Sequence, residues 1–356
     1  MLKMLSRFSA NLAFFHPFRW QLGYIGWIGF GNLGDEAIFH AIQKLFPTHN
    51  MIPFRHTSKI ACIERLFNTK LYDAILFGGG TLLYSTNYGK ILQRAQKLYP
   101  DLYVFGAGVR NPQFWEFNRK KIDIPLWNDC LRKCRFVGVR GPDSQKILEE
   151  NGFSDAEVIG DPALTLGIRD FVPRYPGRRI GINFGRVKGK MWGAETRLFH
   201  FLRNMLQFLK DSRYELVFYP MCEQDLEVAR DLLRQIGGGF SICPEYKSID
   251  EVMQSLNHCD IFIGEKLHSV ILAHCAHVPA LSFGYRPKCA DYMASMGMSE
   301  FNLRTDEVNV ELVDSLVQQL FAGYGKYRTT IFEKVLYYQR LQKQFSERIC
   351  DHMIRN

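Results

Sequence analysis

The feature that most constrains this chain is an alternation that runs through it twice. Short apolar runs, each closed by a glycine or a polar residue, are followed by longer amphipathic stretches. Leu22–Ile28, Met51–Phe54, Asp73–Phe77, Leu102–Phe105, Phe136–Val139 and Glu157–Ile159 read as strands. Asp35–Leu45, Lys59–Phe67 and Pro142–Asn151 read as helices, the last closed by Gly152. Gly167–Arg179, with Pro173, Pro176 and Gly177, then reads as a linker. After it the pattern restarts. Arg179–Phe184, Glu215–Tyr219, Phe240–Cys243, Asp260–Ile263 and Ala280–Phe283 are the expected strands. Thr196–Lys210, Asp225–Ile236, Ile249–Asn257 and Leu267–His277 are the expected helices between them. Val310–Phe321 and Ile331–Ile349 follow as two more helices. Continuous apolar strands separated by helices indicate parallel sheets covered on both faces. The expected fold is α/β, with two Rossmann-like doubly wound domains facing across a cleft. The expected bounds are 20–166 and 178–325, with a C-terminal helix over 326–356 that could cross back to the first domain.

A chain of 356 residues, 47% hydrophobic and 23% charged, has the size and balance of two folded domains. Its net charge of +9 suits an anionic partner. The basic residues are scattered, with no basic-aromatic run, which favours a small anion over nucleic acid. Nine cysteines form no Cys-x-x-Cys pair, and Cys130 and Cys134 have no second pair at zinc spacing. Reduced thiols in a cytoplasmic protein, with no metal site, are the expectation. The segment Met1–Trp20 is basic and aromatic, and its apolar stretch Phe8–Phe15 is too short to span a bilayer. Packing on the first domain is the plainer reading. Weak contact with the inner membrane face through Lys3, Arg7, Phe14, Phe15, Phe18 and Trp20 stays open.

Gly29-x-Gly31-x-x-Gly34 stands after a strand and before a helix, where a dinucleotide fingerprint belongs. The acidic partner expected about 20 residues further on is missing, because that region reads Pro53-Phe54-Arg55-His56. Asp35 and Glu36 at the helix start would also repel a pyrophosphate. No nicotinamide or flavin cofactor is therefore expected. The turn, with Gly31, Asn32 and Asp35, is instead expected to line the cleft for a substrate. Gly78-Gly79-Gly80-Thr81 is read the same way, as an open loop at a strand end whose N–H groups suit an oxyanion or a sugar hydroxyl. The bland alternative for both is a turn that needs glycine.

Arg140 follows the Phe136–Val139 strand and precedes Gly141-Pro142, a position that faces the crevice of an open sheet. Gly264-Glu265-Lys266-Leu267-His268-Ser269 joins a strand to a helix, and a helix start is a natural anion site. Neighbouring cations there favour a neutral His268. Tyr285-Arg286-Pro287-Lys288 follows the next strand. Arg140, Lys266, His268, Arg286 and Lys288 could thus form one positive pocket.

These segments, with Gly31-Asn-Leu-Gly-Asp-Glu-Ala37, Gly160-Asp-Pro-Ala163 and Pro279-Ala-Leu-Ser-Phe-Gly-Tyr285, resemble the polysaccharide pyruvyltransferases. The resemblance implies a GT-B-like arrangement and transfer of pyruvate from phosphoenolpyruvate to a sugar of a surface polysaccharide or its precursor, forming a ketal. It implies catalytic roles for Arg140, His268 and Lys288. Substrate contacts fall on Gly31, Asn32, Asp35, Gly79, Gly80, Thr81, Lys266, Ser269 and Arg286. Lys266 replaces the family's usual Arg, and Arg286 a common Asp. The acceptor sugar, and whether it is lipid-linked, stay open. Two rivals remain: a GT-B glycosyltransferase using a nucleotide sugar, and a non-enzymatic binding module.

Overall fold

The computed structural model describes residues 20–54, 70–117, 122–187, 191–244, 246 and 248–355. The expected helix Lys59–Phe67 and the segment before Trp20 lie outside them. The chain builds two parallel sheets. The first carries β1 (Trp20–Ile25), β2 (His49–Pro53), β3 (Ala74–Phe77), β4 (Gly80–Leu83), β5 (Leu102–Val109), β6 (Phe136–Val139) and β7 (Ala156–Val158). Its strand order is β2-β1-β3-β5-β6-β7, with β4 beside the far end of β5. The second carries β8 (Arg179–Asn183), β9 (Glu215–Phe218), β10 (Phe240–Ile242), β11 (Ile261–Gly264), β12 (Ala280–Gly284) and β13 (Asn302–Arg304), in the order β10-β9-β8-β11-β12-β13. In each sheet the order reverses once, between β1 and β3 and between β8 and β11. The carboxyl ends of the strands at such a reversal leave the crevice where open α/β sheets bind ligands.

The helices of the first half are α1 (Leu33–Leu45), α2 (Thr86–Gln96), α3 (Pro112–Phe117), α4 (Ile124–Arg132) and α5 (Pro142–Glu150), with a 3-10 turn over Pro162–Leu166. Those of the second are α6 (Glu195–Asp211), α7 (Glu223–Gln235), α8 (Ile249–Leu256), α9 (Leu267–Cys275), α10 (Pro287–Ser295) and α11 (Val310–Ala322). The final helix α12 runs from Tyr324 to Arg355. Residues 167–178 carry no helix or strand. Arg174 ties this connection to the carbonyls of Asn257 and Cys259 and to the Tyr324 hydroxyl.

Two local readings need correction. The glycine run is not an open loop throughout. Gly80 takes φ +88°, and the chain then continues as β4, whose Leu82 and Leu83 are buried. This is possible because β5 extends to Val109, beyond the Phe105 at which the sequence pattern places its end, and so offers a free ladder to pair with. Thr81 is therefore presented by a strand. Second, the long helix starts at Tyr324 rather than Ile331 and lies across the first half. There the amide of Gln342 donates to the carbonyls of Ile159 and Asp161, and Arg348 pairs with Glu157. Phe345 packs edge-on against Phe105 and Phe136.

Helix α9 explains why the halves meet where they do. Its sequence, LHSVILAHC, has no polar face, and such a helix must be covered all round. It packs against β11, β12, the Pro162–Leu166 turn, α1, α8 and α12. Its first turn thereby lands at the junction of the two halves.

Candidate active site

The start of α1 docks on the second half. The Leu33 N–H donates to the Met221 carbonyl (2.8 Å), the Gly34 N–H to the Asn32 side chain (3.0 Å), and the Gly29 N–H to Glu36 (2.6 Å). Gly34 is required by proximity, since a Cβ there would lie 2.3 Å from the Cβ of His268. The two halves thus close directly over that histidine.

His268 is largely but not fully covered, its side chain 13% exposed, with its Nε2 3.9 Å from Asp161 Oδ2. Neither atom has a hydrogen-bond partner among the described residues. Burial, then Lys288 and Arg140, push the imidazole down to about 3, so it is neutral at pH 7. Burial raises Asp161 to about 6 although Arg140 pulls it down. Burial likewise raises Asp35, in the first turn of α1, to about 7; Lys288 opposes this, while Asp161 and Glu36 reinforce it. The cleft therefore holds a neutral base beside two carboxyls that keep protons at higher pH than usual.

Arg140 is 1% exposed and lies where the halves cross. Its Nη1 donates to Thr81 Oγ1 (3.3 Å), and its Nη2 is 3.7 Å from Asp291 of α10. Nε and Nη2 make no hydrogen bond among the described residues. The same Asp291 caps α5 from the other half, accepting from the N–H groups of Asp143 (2.9 Å) and Ser144 (3.2 Å) and from the Ser144 hydroxyl (2.6 Å).

The model of the polysaccharide pyruvyl transferase family matches residues 32–287. The chain belongs to that family. In fold this transferase is similar to a glycosyltransferase from Rickettsia africae, at 11% identity over 96% of this chain and 100% of that one, with a TM-score of 0.54. It is also similar to Os79 from O. sativa, solved in complex with UDP, at 10% identity over 92% and 100% of the two chains, TM-score 0.56. A ugt transferase from Siraitia grosvenorii, solved in complex with UDP, gives 10% identity, 94% and 100% coverage, and a TM-score of 0.55. These likenesses identify the two-domain GT-B fold. A comparison with curated proteins gives no match.

Within the transferase, the residues singled out from sequence divide. Arg140, His268, Lys288, Asp35 and Thr81 come together: Lys288 acts electrostatically on both His268 and Asp35. Gly79 packs against the Ile38 and Pro162 side chains, and Gly80 lies near Asp35. Gly31, at φ +70°, has open space where a side chain would stand. Asn32 is spent on capping α1. Ser269 is buried, its hydroxyl donating to the Lys266 carbonyl (2.7 Å). Lys266 is tied to the fully buried Asp225 (2.5 Å) and to Cys222 Sγ (3.0 Å). Arg286 lies against Tyr285 and Trp115. Among the described residues no cluster of three or more metal-ligating side chains forms, and no helix is long and apolar enough to cross a membrane.

Sequence reading missed Asp161, Asp291, Glu265 and Arg110. Asp161 left a trace, since it sits in the quoted segment Gly160-Asp-Pro-Ala163, whereas Asp291 lies three residues past Lys288 in α10. Their roles depend on partners far away in the chain.

Proposed function

We propose that this transferase moves the pyruvyl unit of phosphoenolpyruvate onto two hydroxyls of a saccharide, forming a ketal and releasing phosphate. The observation that carries the reading is the meeting of Arg140, Lys288 and His268 beside two proton-retaining carboxyls, Asp35 and Asp161, in one inter-domain cleft. An enol phosphate becomes electrophilic at its central carbon when its methylene takes a proton. One saccharide hydroxyl then attacks that carbon. The second attacks as the carbon–oxygen bond to phosphate breaks. Of the two hydroxyl protons released, one balances the proton placed on the methyl group and the other leaves with phosphate. Lys288 and Arg140 stabilise the charge on the departing group.

Proton delivery is assigned to His268, helped by the donor's own charge. A bound trianion offsets Lys288 and Arg140, the two cations that hold the imidazole neutral, and so lifts its pKa toward the working range. Asp35 is the second acid, because it keeps its proton up to about pH 7 beside Lys288. Family membership favours this donor over a nucleotide sugar. The acceptor belongs to a polysaccharide or its precursor, and a cytoplasmic site where phosphoenolpyruvate is available fits the reading.

The reaction run in heavy water is expected to place one deuterium in the ketal methyl group and to release inorganic phosphate, both read by mass and NMR. A product that carries phosphate, or a methyl group without solvent deuterium, overturns the mechanism. His268→Asn and Asp35→Asn, compared in the same assay, identify the acid as the residue whose loss abolishes methyl labelling.

A further inference from the structure

The chain between β1 and α1 is apolar and yet lies at the surface. Residues 26–32 read Gly-Trp-Ile-Gly-Phe-Gly-Asn. Ile28 packs on the core, while Trp27 and Phe30 are 47% and 64% exposed. Their rings stack on each other, with centroids 4.1 Å apart and planes 21° from parallel. Gly29, which stands between them in the chain, takes φ +78°, a left-handed turn that folds the loop back on itself. There and at Gly31 no atom lies within 4 Å of where a side chain would start, so the surroundings of the pair are open. An exposed aromatic cluster on a loop carried by a rigid sheet marks a contact surface.

The place of the loop says what it meets. It leaves β1 at the carboxyl end of the strand, where the order of the sheet reverses. Just before it, Tyr24 lies within electrostatic reach of Asp35 and Asp161. Just after it, the Leu33 N–H docks on the Met221 carbonyl of the second half (2.8 Å). Asp35 follows Phe30 by five positions, at most about 18 Å of extended chain. The stacked rings therefore stand within the length of a short oligosaccharide from the reacting centre. Acids border them: Glu36 accepts from the Gly29 N–H (2.6 Å), and Asp35 is its neighbour. Carboxyl groups at this edge disfavour a phosphate or an anionic headgroup on the rings. A neutral polyol suits both features. A pyranose lays the C–H groups of one face on an aromatic ring and offers hydroxyls to carboxyl oxygens at its rim.

We propose that Trp27 and Phe30 form a platform for a neutral sugar ring of the acceptor, next to the ring that reacts. The assignment rests on the saccharide acceptor of the proposed function, but the contact of the pair with a sugar is measurable without the reaction. An acceptor of two or more sugars reaches both the platform and the reacting centre; a monosaccharide reaches only one of them.

The test uses the full chain as wild type, Trp27→Ala, Phe30→Ala and Trp27→Tyr. Both Ala variants should melt close to the wild-type temperature, since the side chains they lose are exposed. An array of neutral oligosaccharides selects the probe, which is then titrated by calorimetry without donor and assayed for transfer with phosphoenolpyruvate. Each Ala variant should bind the probe about five- to tenfold more weakly, with Trp27→Tyr closer to wild type. In the transfer assay the loss should appear as a raised acceptor KM, with kcat and the phosphoenolpyruvate KM unchanged. Unchanged affinity and acceptor KM in both Ala variants overturn the platform and spare the reaction. Sugar binding that depends on Trp27, in a protein that transfers no pyruvyl group, upholds the platform and removes the reaction. A wild type that binds no saccharide of the array overturns the platform. So does loss of binding to phosphatidylglycerol vesicles in the Ala variants with saccharide binding unchanged, which gives the pair to a membrane surface instead.

Discussion

The two strand-to-helix junctions at the centre of the second sheet look alike in sequence and differ in chemistry. One joins β11 to α9 and carries Lys266 and His268; the other joins β12 to α10 and carries Arg286 and Lys288. The first is neutralised from within. Lys266 is paired with Asp225, Glu265 accepts from the Gly185 N–H (3.1 Å), and the buried Asn183 accepts from the Lys266 N–H (3.3 Å) while its own amide donates to Asp225 (3.3 Å). Burial works against the charge on Lys266, but Asp225 and Cys222 outweigh it, and its pKa lies above the ordinary lysine value. At the second junction Arg286 lies against the rings of Trp115 and Tyr285, and the Lys288 ammonium lies over the Tyr285 ring. Two lysines in like motifs thus meet different partners, a buried carboxylate for Lys266 and the Tyr285 ring for Lys288.

The strongest way to break this comparison is to remove Lys266. Lys266→Ala leaves Asp225 buried and without its ion-pair partner, and the expected cost is about 3 kcal/mol of stability, read by denaturant unfolding. A variant with wild-type stability but lost turnover would mean that the lysine serves the substrate after all. Lys288→Ala should behave in the opposite way. Turnover should fall at least about a hundredfold, in line with losing a charge-stabilising donor, while the melting temperature stays close to wild type. Full activity in that variant removes Lys288 from the site.

The smallest expected effect sharpens the contrast through pH. Burial raises Glu265 to about 8, against the pull of the Gly185 N–H and Lys266, so it is largely protonated in the folded protein at pH 7. Its folded pKa lies above the ordinary value. Its contribution to stability is therefore complete below about pH 4.5 and is lost as pH rises through about 8. Glu265→Gln should flatten the fall in Tm between about pH 4.5 and 8, and only in part, since Asp35 and Asp161, also raised, contribute to the same fall. An unchanged slope would show that Glu265 is already ionised at neutral pH.

Much of the frame was legible from residue patterns. The strands β1–β3 and β5–β12 fall within a few residues of where apolar runs end in glycine or polar residues, and Phe136–Val139 coincides with its expected bounds. Gly152, at φ +92°, closes α5 as a C-terminal glycine should. Helices α2, α3, α4 and α10 were missed. The first is polar on average and packs through Gly89, Leu92 and Ala95, and the last begins inside the Arg286-Pro287-Lys288 turn, where proline at N1 reads equally as a loop.

Sequence by itself determined the two alternating runs and the placing of Arg140, His268 and Lys288 at the carboxyl ends of strands, because strand length, glycine stops and helix starts are set by near neighbours in the chain. Only the tertiary structure decided which of those groups are available and in what protonation state. Asp225 pairs with Lys266, Asp291 reaches across to hold Arg140 and the start of α5, and Arg110 and Arg286 meet at the Trp115 ring from opposite halves. Charge, burial and partner are properties of distance in space, and the residues that set them here meet only when the two sheets close over α9.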